Sequence, residues 1–305
     1  MEPILELENI TKSFPKSNFT LDSLTFSLPY GNILGFVGEN GAGKTTTIGC
    51  ILNTIRKDSG TVRLFGQEMQ DNDTNLREKI GVVYDGDNFP GYWTAKQLSQ
   101  VMDGFYTHWD STLFHHYLEK FRLPEKQKIK QFSRGMSMKL AIAAALSHHP
   151  QLLILDEATS GLDPIMRDEM LDVFLDFVQE EDHSILLSSH ITSDLEKVAD
   201  YIAFIHNGRL ILTASKDDLI YHYAVLRCKE SQFQALNPAD IIAYRKRDFQ
   251  IDVLVADGKA AEKKYKDIVA DHVSIDEIML LLVKGKSSLS QFSIKENHYE
   301  RITEK

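Results

Sequence analysis

A glycine-rich segment between an apolar run and a helical pattern is the feature that most constrains how this chain can fold. The run Ile33–Val37 precedes it and predicts a buried strand, and Thr46–Leu52 follows it and predicts a helix. Glycines permit backbone angles that a Cβ forbids, and they let N–H groups close around an anion. The segment fits G-x-x-x-x-G-K-[ST], the pattern of a phosphate-binding P-loop. Its residues are Gly38, Glu39, Asn40, Gly41, Ala42, Gly43, Lys44, Thr45 and Thr46.

The start of the predicted helix and two side chains would complete this phosphate site. A helix start presents unpaired N–H donors and the positive end of the helix dipole, and both favour an anion. Lys44 can reach the β- and γ-phosphates of a nucleotide, and the Thr45 hydroxyl can bind Mg²⁺. Because strand, loop and helix occur in the required order, we expect a nucleoside triphosphate here rather than an incidental glycine-rich turn.

Two adjacent carboxylates follow a second apolar strand later in the chain. The strand is Leu152–Leu155, and Asp156 and Glu157 come directly after it, which is the Walker B pattern. Asp156 is expected to hold Mg²⁺, directly or through water. Glu157 is expected to polarise the attacking water. A buried strand that ends in an acidic turn is common, so this interpretation depends on the P-loop upstream.

The composition limits the partners and the compartment. The chain has 305 residues and a formal net charge of -10. This balance disfavours a broad nucleic-acid surface, so no nucleic acid is expected as a partner. Cys50 and Cys228 form no C-x-x-C pair, and we expect neither a disulfide framework nor a zinc site. No signal peptide and no spanning stretch of about eighteen apolar residues is visible. We therefore expect a cytoplasmic chain that reaches a membrane only through another polypeptide.

The order of predicted elements indicates an α/β fold with an inserted block of helices. Strands with an antiparallel pattern come first, parallel-type strands enclose the helical block, and a hairpin closes this part of the chain. The predictions are strands over 5–10 and 24–28, a loop over Thr11–Pro15, strands over 61–66, 80–84, 152–155 and 184–188, helices within 86–150 and over 166–179, and a hairpin over 201–212.

Beyond about residue 219 the pattern becomes a mixture of short strands and helices. Alternating residues predict strands over Tyr223–Arg227 and Phe249–Val255. Helical spacing predicts helices over Ala260–Ile268 and Ile275–Val283. From Gly285 onward the residues are polar and of mixed charge, which predicts a loose tail.

Three further short motifs narrow the family. Gln131–Met136 precedes an Ala-rich helix and resembles the LSGGQ signature of ABC ATPases. Ser160–Asp163 follows the two carboxylates as the D-loop of that family does, and Ser188–His190 closes a strand as its switch histidine does. Each motif is weak alone, but a chance match of all five motifs in this order is implausible. The chain therefore resembles the ATP-binding subunit of an ABC transporter, and especially the stand-alone subunits of bacterial drug- or peptide-export systems.

The resemblance implies a fold and a division into domains. It covers about residues 1–220, which would form a P-loop NTPase domain of the ABC type. This α/β domain has a RecA-like core, an antiparallel β subdomain and a helical subdomain inserted at about 86–150. Residues 221–305 would form a small C-terminal α/β accessory unit and its polar tail.

The resemblance also implies roles for residues outside the P-loop and the Walker B strand. Phe14 would stack on adenine, with a packing role as the alternative. Ser133 and Gly135 would contact the γ-phosphate bound by a second subunit, and Asp163 would lie near the nucleotide. His190 would hydrogen-bond the γ-phosphate and position water.

The implied cofactors are ATP and Mg²⁺, and the implied assembly is larger than one chain. Two ATP-binding subunits, identical or different, would pair head to tail over two ATP molecules and separate after hydrolysis. This cycle would drive a membrane-spanning subunit that carries out transport, most simply export, at the inner face of the cell membrane. The chain would be a peripheral ATPase in this complex.

Three positions depart from the family pattern. Asp85 stands at the Q-loop position, where glutamine is usual; a carboxylate can approach Mg²⁺ or water but cannot donate a hydrogen bond. Arg134 replaces the first glycine of the signature, where it either adds positive charge near the phosphate or faces solvent. Met136 replaces the glutamine of the signature, while Ser133 and Gly135 are kept, so we expect a working site.

Two other functions compete with transport. A non-transport ABC ATPase with a nucleic-acid or ribosomal partner is one, but the known DNA-repair types carry long coiled coils and the ribosome-associated types carry two ATPase domains. This chain has one P-loop and no such insertion. A regulatory module that binds ATP without hydrolysing it is the other, and the presence of Lys44, Asp156, Glu157 and His190 argues against it.

Overall fold

The computed structural model describes residues 2–16, 18–70, 73–86 and 88–287. Contacts within the chain divide it into two units. Unit 1 runs to Ala199 and includes Asn207–Arg209, and unit 2 comprises Asp200–His206 and the chain from Leu210 onward. The predicted domain boundary at residue 220 stays a prediction.

Unit 1 alternates strands and helices, as the sequence predicts for an α/β fold. Its strands are β1 (Leu5–Ser13), β2 (Thr20–Leu28), β3 (Ile33–Val37), β4 (Ser59–Leu64), β5 (Gln67–Glu68), β6 (Ile80–Val83), β7 (Leu152–Asp156) and β8 (Ser184–Ser189). Its helices are α1 (Lys44–Ile51), α2 (Thr74–Glu78), α3 (Ala95–Asp103), α4 (Ser111–Lys120), α5 (Arg134–Leu146), α6 (Pro164–Phe177) and α7 (Thr192–Val198). The predicted fold class is confirmed.

A parallel sheet in the order β6-β7-β8-β3 positions the predicted site. Every residue of β3, β7 and β8 is buried, which is typical of parallel strands that are covered on both faces. Because parallel strands end at one edge of their sheet, the segments that follow them meet at that edge. These segments carry the P-loop, Asp85, Glu157 and His190.

A second sheet, in the order β2-β1-β4-β5, is antiparallel. β1 extends into Thr11–Pro15, where the sequence predicts a loop. Lys12 pairs with Leu21, and Ser13 pairs with Thr20. The loop prediction is therefore wrong at its start, because backbone pairing with β2 continues beyond the apolar residues that carry the strand pattern.

Helices α3, α4 and α5 form the helical block that the sequence predicts. A reciprocal capping box begins α3: the Gln97 backbone N donates to Thr94 Oγ1 at 3.2 Å, and the Thr94 backbone N donates to Gln97 Oε1 at 3.0 Å. Trp109 packs between α3 and α4, with its ring centroid 5.3 Å from that of Phe114 and its Nε1 donating to Ser99. The satisfied indole N–H allows this large, half-buried ring to pack at the helix interface.

The remaining elements are β9 (Tyr201–His206), β10 (Arg209–Ser215), α8 (Lys216–Tyr221), β11 (Ala224–Cys228), α9 (Glu230–Phe233), β12 (Ala243–Lys246), β13 (Ile251–Val255), α10 (Gly258–Lys264), β14 (Val269–His272), α11 (Ile275–Lys284) and β15 (Lys286–Ser287). β9 and β10 are neighbours, as the predicted hairpin requires, and a further sheet runs β14-β11-β13-β12-β15. Most of the predicted tail lies outside the described residues. Nowhere in the described ranges does a helix combine the length and the hydropathy that crossing a bilayer requires.

The helix predicted over Ala260–Ile268 is too long. α10 ends at Lys264, and Tyr265 leaves the helical region with φ -118° and ψ 66°. The Tyr265 hydroxyl donates to the Asp240 carboxylate and accepts from the Asn237 backbone N. These bonds hold the chain away from a helical path, and it then enters β14, which pairs with β11.

A buried histidine makes the stability of unit 1 depend on pH. His148 is 3% exposed, and its ring is stacked on Tyr106 with the centroids 4.1 Å apart. Burial lowers the pKa of His148, although backbone carbonyls of Ile80 and Ala144 act in the opposite direction. The charged imidazolium is disfavoured because it loses hydration in the interior.

We predict that the free energy of unfolding falls as the pH drops below the ordinary histidine pKa of 6.5. The unfolded chain takes up the proton first, so the contribution of neutral His148 is complete above that pH and is lost as the pH falls toward the lower folded pKa. The slope for one group is at most about 1.4 kcal/mol per pH unit. His148→Phe keeps a ring on Tyr106 and should flatten the dependence, measured by denaturant unfolding. The exposed His116→Gln is the control, and equal slopes in wild type and His148→Phe would contradict the prediction.

Candidate active site

The P-loop connects β3 to α1. Gly41 and Gly43 have φ of 82° and 120°, where a Cβ would collide with the backbone. The Ala42 backbone N donates to the Glu39 carbonyl at 3.1 Å, and the Gly43 carbonyl accepts from the Thr47 backbone N and Oγ1. In the described part of the chain, no side chain caps the amino end of α1. Its first N–H groups are therefore donors suited to an anion.

Lys44 lies inside the loop rather than in solvent. It is 5% exposed, and its Nζ donates to the Gly38 carbonyl at 2.6 Å and to the Glu39 carbonyl at 3.3 Å. The same Nζ lies 3.0 Å from Glu157 Oε1. Backbone carbonyls and one carboxylate thus fix the position of the buried ammonium group. A positive charge at a fixed position suits phosphate binding.

The Asp156 carboxylate accepts hydrogen bonds from two side-chain hydroxyl groups. Its Oδ2 accepts from Thr45 Oγ1 at 2.7 Å, and its Oδ1 accepts from Ser188 Oγ at 2.5 Å. The parallel register of β7 and β8 places Asp156 opposite Ser188. Carboxylate and hydroxyl oxygens are the ligands that Mg²⁺ prefers, and Mg²⁺ takes its other ligands from water and phosphate.

Glu157 bridges the P-loop and the end of β8. Its Oε2 lies 2.6 Å from His190 Nδ1, while its Oε1 faces Lys44. The Glu157 backbone N donates to the Ser188 carbonyl at 3.1 Å and lies 3.2 Å from Ser188 Oγ. The residue has φ 53°, which costs a non-glycine residue about 1–3 kcal/mol. The surrounding bonds hold the carboxylate in this strained position between two basic groups.

This arrangement fits a nucleoside triphosphate with its metal ion. Uncapped helix N–H groups and Lys44 suit the phosphates, Thr45 and Asp156 suit Mg²⁺, and the Glu157–His190 pair suits the activation of water. The fit depends on these donor groups and on the positive φ angles of Gly41 and Gly43.

Known proteins resemble this chain over most of its length. The profile of the ABC transporter family matches residues 21–160. The bacitracin transport ATP-binding protein BcrA of Bacillus licheniformis is 35% identical over 213 residues, which cover 69% of this chain and 69% of that protein. The chain belongs to the ABC transporter family.

Two further comparisons support this assignment. The linearmycin resistance ATP-binding protein LnrL of Bacillus subtilis is 30% identical to this chain over 307 residues, covering 98% of this chain and 96% of that protein. A solved structure of the ATP binding subunit of an ABC transporter matches with a TM-score of 0.65 and 26% identity, over 71% of this chain and 91% of its own. The predicted family is confirmed: this chain is an ABC ATP-binding subunit, and its enzymatic class is ATPase.

Three of the other residues that the family resemblance singles out lie at helix starts of this ABC subunit. Ser133 is the N-cap of α5, and its Oγ accepts from the Met136 backbone N at 3.2 Å. Asp163 is the N-cap of α6, and its Oδ1 accepts from two backbone N–H groups. Gly135 is buried in the first turn of α5. Each of them therefore has a structural task, and their roles toward a nucleotide stay predictions.

Phe14 follows directly after β1 and is half-buried. Its ring centroid lies 6.5 Å from that of Phe19, and Lys12 Nζ lies 5.5 Å from it. Both alternatives from the sequence, stacking on adenine and packing, stay open for Phe14. Phe19 was not singled out by the sequence, although it is the aromatic nearest in the chain.

Two of the departures from the ABC pattern, Asp85 and Arg134, contact each other. An Arg134 terminal nitrogen donates to Asp85 Oδ1 at 2.7 Å. Neither sequence alternative for Arg134, a charge near the phosphate or a side chain in solvent, includes this ion pair. The Mg²⁺ role suggested for Asp85 stays a prediction, and one of its oxygens is engaged by Arg134.

Ser188 is the site residue that sequence reasoning missed. The sequence pattern marks it only as part of the strand before His190. The signal lay in the register: a residue two positions before the histidine on β8 stands beside the Walker B aspartate on β7. A hydroxyl at this position can donate to the Asp156 carboxylate and also contact the Glu157 backbone N.

We predict that Ser188→Ala destabilises the site because it removes the donor to a buried carboxylate oxygen. An unsatisfied buried acceptor of this kind costs about 1–3 kcal/mol, which denaturant unfolding can measure. The neighbouring Ser184→Ala on β8 is the matched control, since Ser184 Oγ donates to the Pro29 carbonyl away from the site. Mg²⁺-dependent ATP hydrolysis should fall in Ser188→Ala and remain near wild type in Ser184→Ala. Unchanged stability and activity in Ser188→Ala would contradict this role.

Proposed function

We propose that this ABC subunit hydrolyses Mg²⁺-ATP with Lys44, Asp156, Glu157 and His190 in defined roles. The observation that supports the proposal is the position of the Glu157 carboxylate, 3.0 Å from Lys44 Nζ and 2.6 Å from His190 Nδ1. The carboxylate thus connects the phosphate-binding loop to the histidine at the end of β8.

Lys44 and the backbone of the P-loop would bind the triphosphate. The Lys44 ammonium supplies positive charge, and the N–H groups at the start of α1 supply directed donors. The residues that would form the cradle are Gly38, Glu39, Asn40, Gly41, Ala42, Gly43, Lys44, Thr45 and Thr46.

Thr45 and Asp156 would hold Mg²⁺, with Ser188 fixing the Asp156 carboxylate. Bound Mg²⁺-ATP supplies the phosphoryl group that is transferred to water. Lys44 would neutralise phosphate charge in exchange for its contact with Glu157 Oε1. That exchange leaves the Glu157 carboxylate free to accept a proton from water, while the His190 ring keeps it oriented.

The assembly that we propose extends beyond one chain. Two subunits, as a homodimer or a heterodimer, would enclose ATP, with Ser133, Gly135 and Asp163 of each turned toward the nucleotide of the other. Residues 1–220 would be the ATPase domain and 221–305 an accessory domain. Head-to-tail pairing follows from the family resemblance. It would give the signature motif at the start of α5 a role at the nucleotide of the partner subunit.

We further propose that a separate membrane-spanning subunit carries the cargo and that this chain lies on the cytoplasmic face of the membrane. BcrA is named for bacitracin transport and LnrL for linearmycin resistance. Export of an antimicrobial compound by the membrane subunit is the transport function that these relatives favour. The match to LnrL extends through unit 2, which supports a similar organisation of the whole chain.

The first test of the proposed site removes its buried cation. Lys44→Ala should raise the dissociation constant for ATP by about tenfold or more, because a hydrogen-bonded charge is worth about 1.5–3 kcal/mol. Isothermal titration calorimetry measures this constant, and the exposed Lys96→Ala is the control. Equal affinity in Lys44→Ala and Lys96→Ala would remove Lys44 from the site.

The second test separates binding from turnover. Glu157→Gln keeps the size of the side chain but removes its basicity, so ATP affinity should stay within about threefold while kcat falls at least about 100-fold. The variant should accumulate as a dimer with ATP and Mg²⁺ in size-exclusion chromatography with light scattering. Full hydrolysis by Glu157→Gln would exclude Glu157 as the base. A monomer under these conditions, with ATP bound, would overturn the proposed dimer.

A further inference from the structure

An ion pair joins two segments that flank the catalytic edge of the parallel sheet. Asp85 lies just after β6, and Arg134 is the first residue of α5. The guanidinium donates to Asp85 Oδ1 at 2.7 Å across a sequence separation of 49 residues. Both residues stand at positions where the ABC pattern has uncharged ones, so these two departures form one contact.

Arg134 also contacts the loop that follows β7. A Cβ built on Gly161 would lie 2.9 Å from the Arg134 Cζ, so the guanidinium covers this glycine closely. Gly161 has φ 70°. A side chain there would strain the backbone and would also clash with Arg134. One side chain thus touches the segments after β6 and β7 from the start of α5.

The loop under Arg134 leads directly to the general base. The Ser160 backbone N donates to the Glu157 carbonyl at 3.0 Å. In the first turn of α5, a Cβ on Gly135 would lie 2.7 Å from Met166 Sδ and 3.5 Å from Leu162 Cδ2. The start of α5 therefore packs tightly on the first turn of α6 and on Leu162, in the loop that begins at Glu157.

The segment that carries Asp85 is held in shape by Asn88. The Tyr84 backbone N donates to Asn88 Oδ1 at 3.0 Å, and Asn88 Nδ2 donates to the carbonyls of Tyr84 and Gly86 at 2.9 and 3.1 Å. This turn presents the Asp85 carboxylate to Arg134. β6 and β7 are also paired, with Val83 opposite Leu155.

Stability alone does not account for the pair. The Arg134 and Asp85 side chains are 52% and 46% exposed, and ion pairs with this exposure contribute little to folding because water screens them. The pair does fix a geometry, because a guanidinium with a carboxylate on one side and a glycine on the other has a defined orientation.

We propose that Asp85 and Arg134 act as one positioning unit for ATP hydrolysis. Their ion pair holds the first turn of α5 against the loops after β6 and β7, and so keeps the Glu157 loop in the geometry that hydrolysis requires. In this role Asp85 binds Arg134 rather than Mg²⁺, and Arg134 acts through Gly161 and Asp85 rather than on phosphate. The inference rests on the proposed hydrolytic function of Glu157.

The test is a double-mutant cycle on the steady-state ATPase activity of the full chain. Asp85→Ala and Arg134→Ala should each lower kcat by about tenfold, and the double variant should lower it by about the same factor rather than about 100-fold. KM for ATP should stay within about twofold, and the melting temperature within about 3 °C. The exchanged pair, Asp85→Arg with Arg134→Asp, should recover most of the activity that Arg134→Asp alone loses.

Lys197 and Asp168 provide a matched control pair. Lys197 Nζ lies 2.8 Å from Asp168 Oδ1, and the two side chains are 58% and 63% exposed. Ala substitutions of these two residues should leave kcat near the wild-type value. A change in kcat equal to that of the Asp85 and Arg134 variants would mean that any exposed ion pair of unit 1 has this effect, which would overturn the inference.

Three results would each overturn the positioning role. If the fold-changes in kcat of the two Ala substitutions multiply in the double variant, the two residues act independently. A rise in KM confined to the Arg134 variants would place Arg134 on the nucleotide, and a weaker Mg²⁺ dependence confined to Asp85→Ala would place Asp85 on the metal. Absence of ATP hydrolysis by the wild-type chain would instead overturn the proposed function, and this inference with it.

Discussion

The contact of the Glu157 carboxylate with Lys44 and His190 is the interaction on which the geometry of the site depends. One carboxylate contacts the first residue of α1 through Oε1 and the residue after β8 through Oε2. Charge-assisted contacts of this kind are short and strong. They therefore fix the end of β7 relative to the start of α1 and to the end of β8, so the P-loop, the Walker B segment and the switch histidine are held together.

The parallel sheet makes this contact available, and Ser188 refines it. The order β6-β7-β8-β3 brings the ends of strands far apart in the chain to one edge. The register then sets Ser188 opposite Asp156, so one hydroxyl contacts the Asp156 carboxylate and the backbone of the strained Glu157. Strain at Glu157 persists because its backbone N is bonded to Ser188 and its carboxylate contacts Lys44 and His190.

The sequence predicts those parts of the molecule that local patterns determine. Continuous apolar runs predict β3 and β7 to within a residue, and glycine spacing predicts the P-loop, because these features depend on neighbours in the chain. The Asp85–Arg134 pair was not predicted, since a salt bridge between residues 49 positions apart has no local signature. Ser188 was missed for the same reason, and the end of α10 depends on a Tyr265–Asp240 contact that helical spacing does not encode.

The N-caps of α5 and α6, Ser133 and Asp163, differ in the hydrogen-bonding groups that they leave for a ligand. A serine hydroxyl that accepts the Met136 N–H at the start of α5 retains its own hydrogen. Ser133 can therefore serve its helix and donate to an anion at the same time. The carboxylate of Asp163 caps α6 only as an acceptor and carries negative charge. Of these two caps, the one on α5 is chemically compatible with a phosphate, and the one on α6 favours a positively charged or N–H-bearing neighbour.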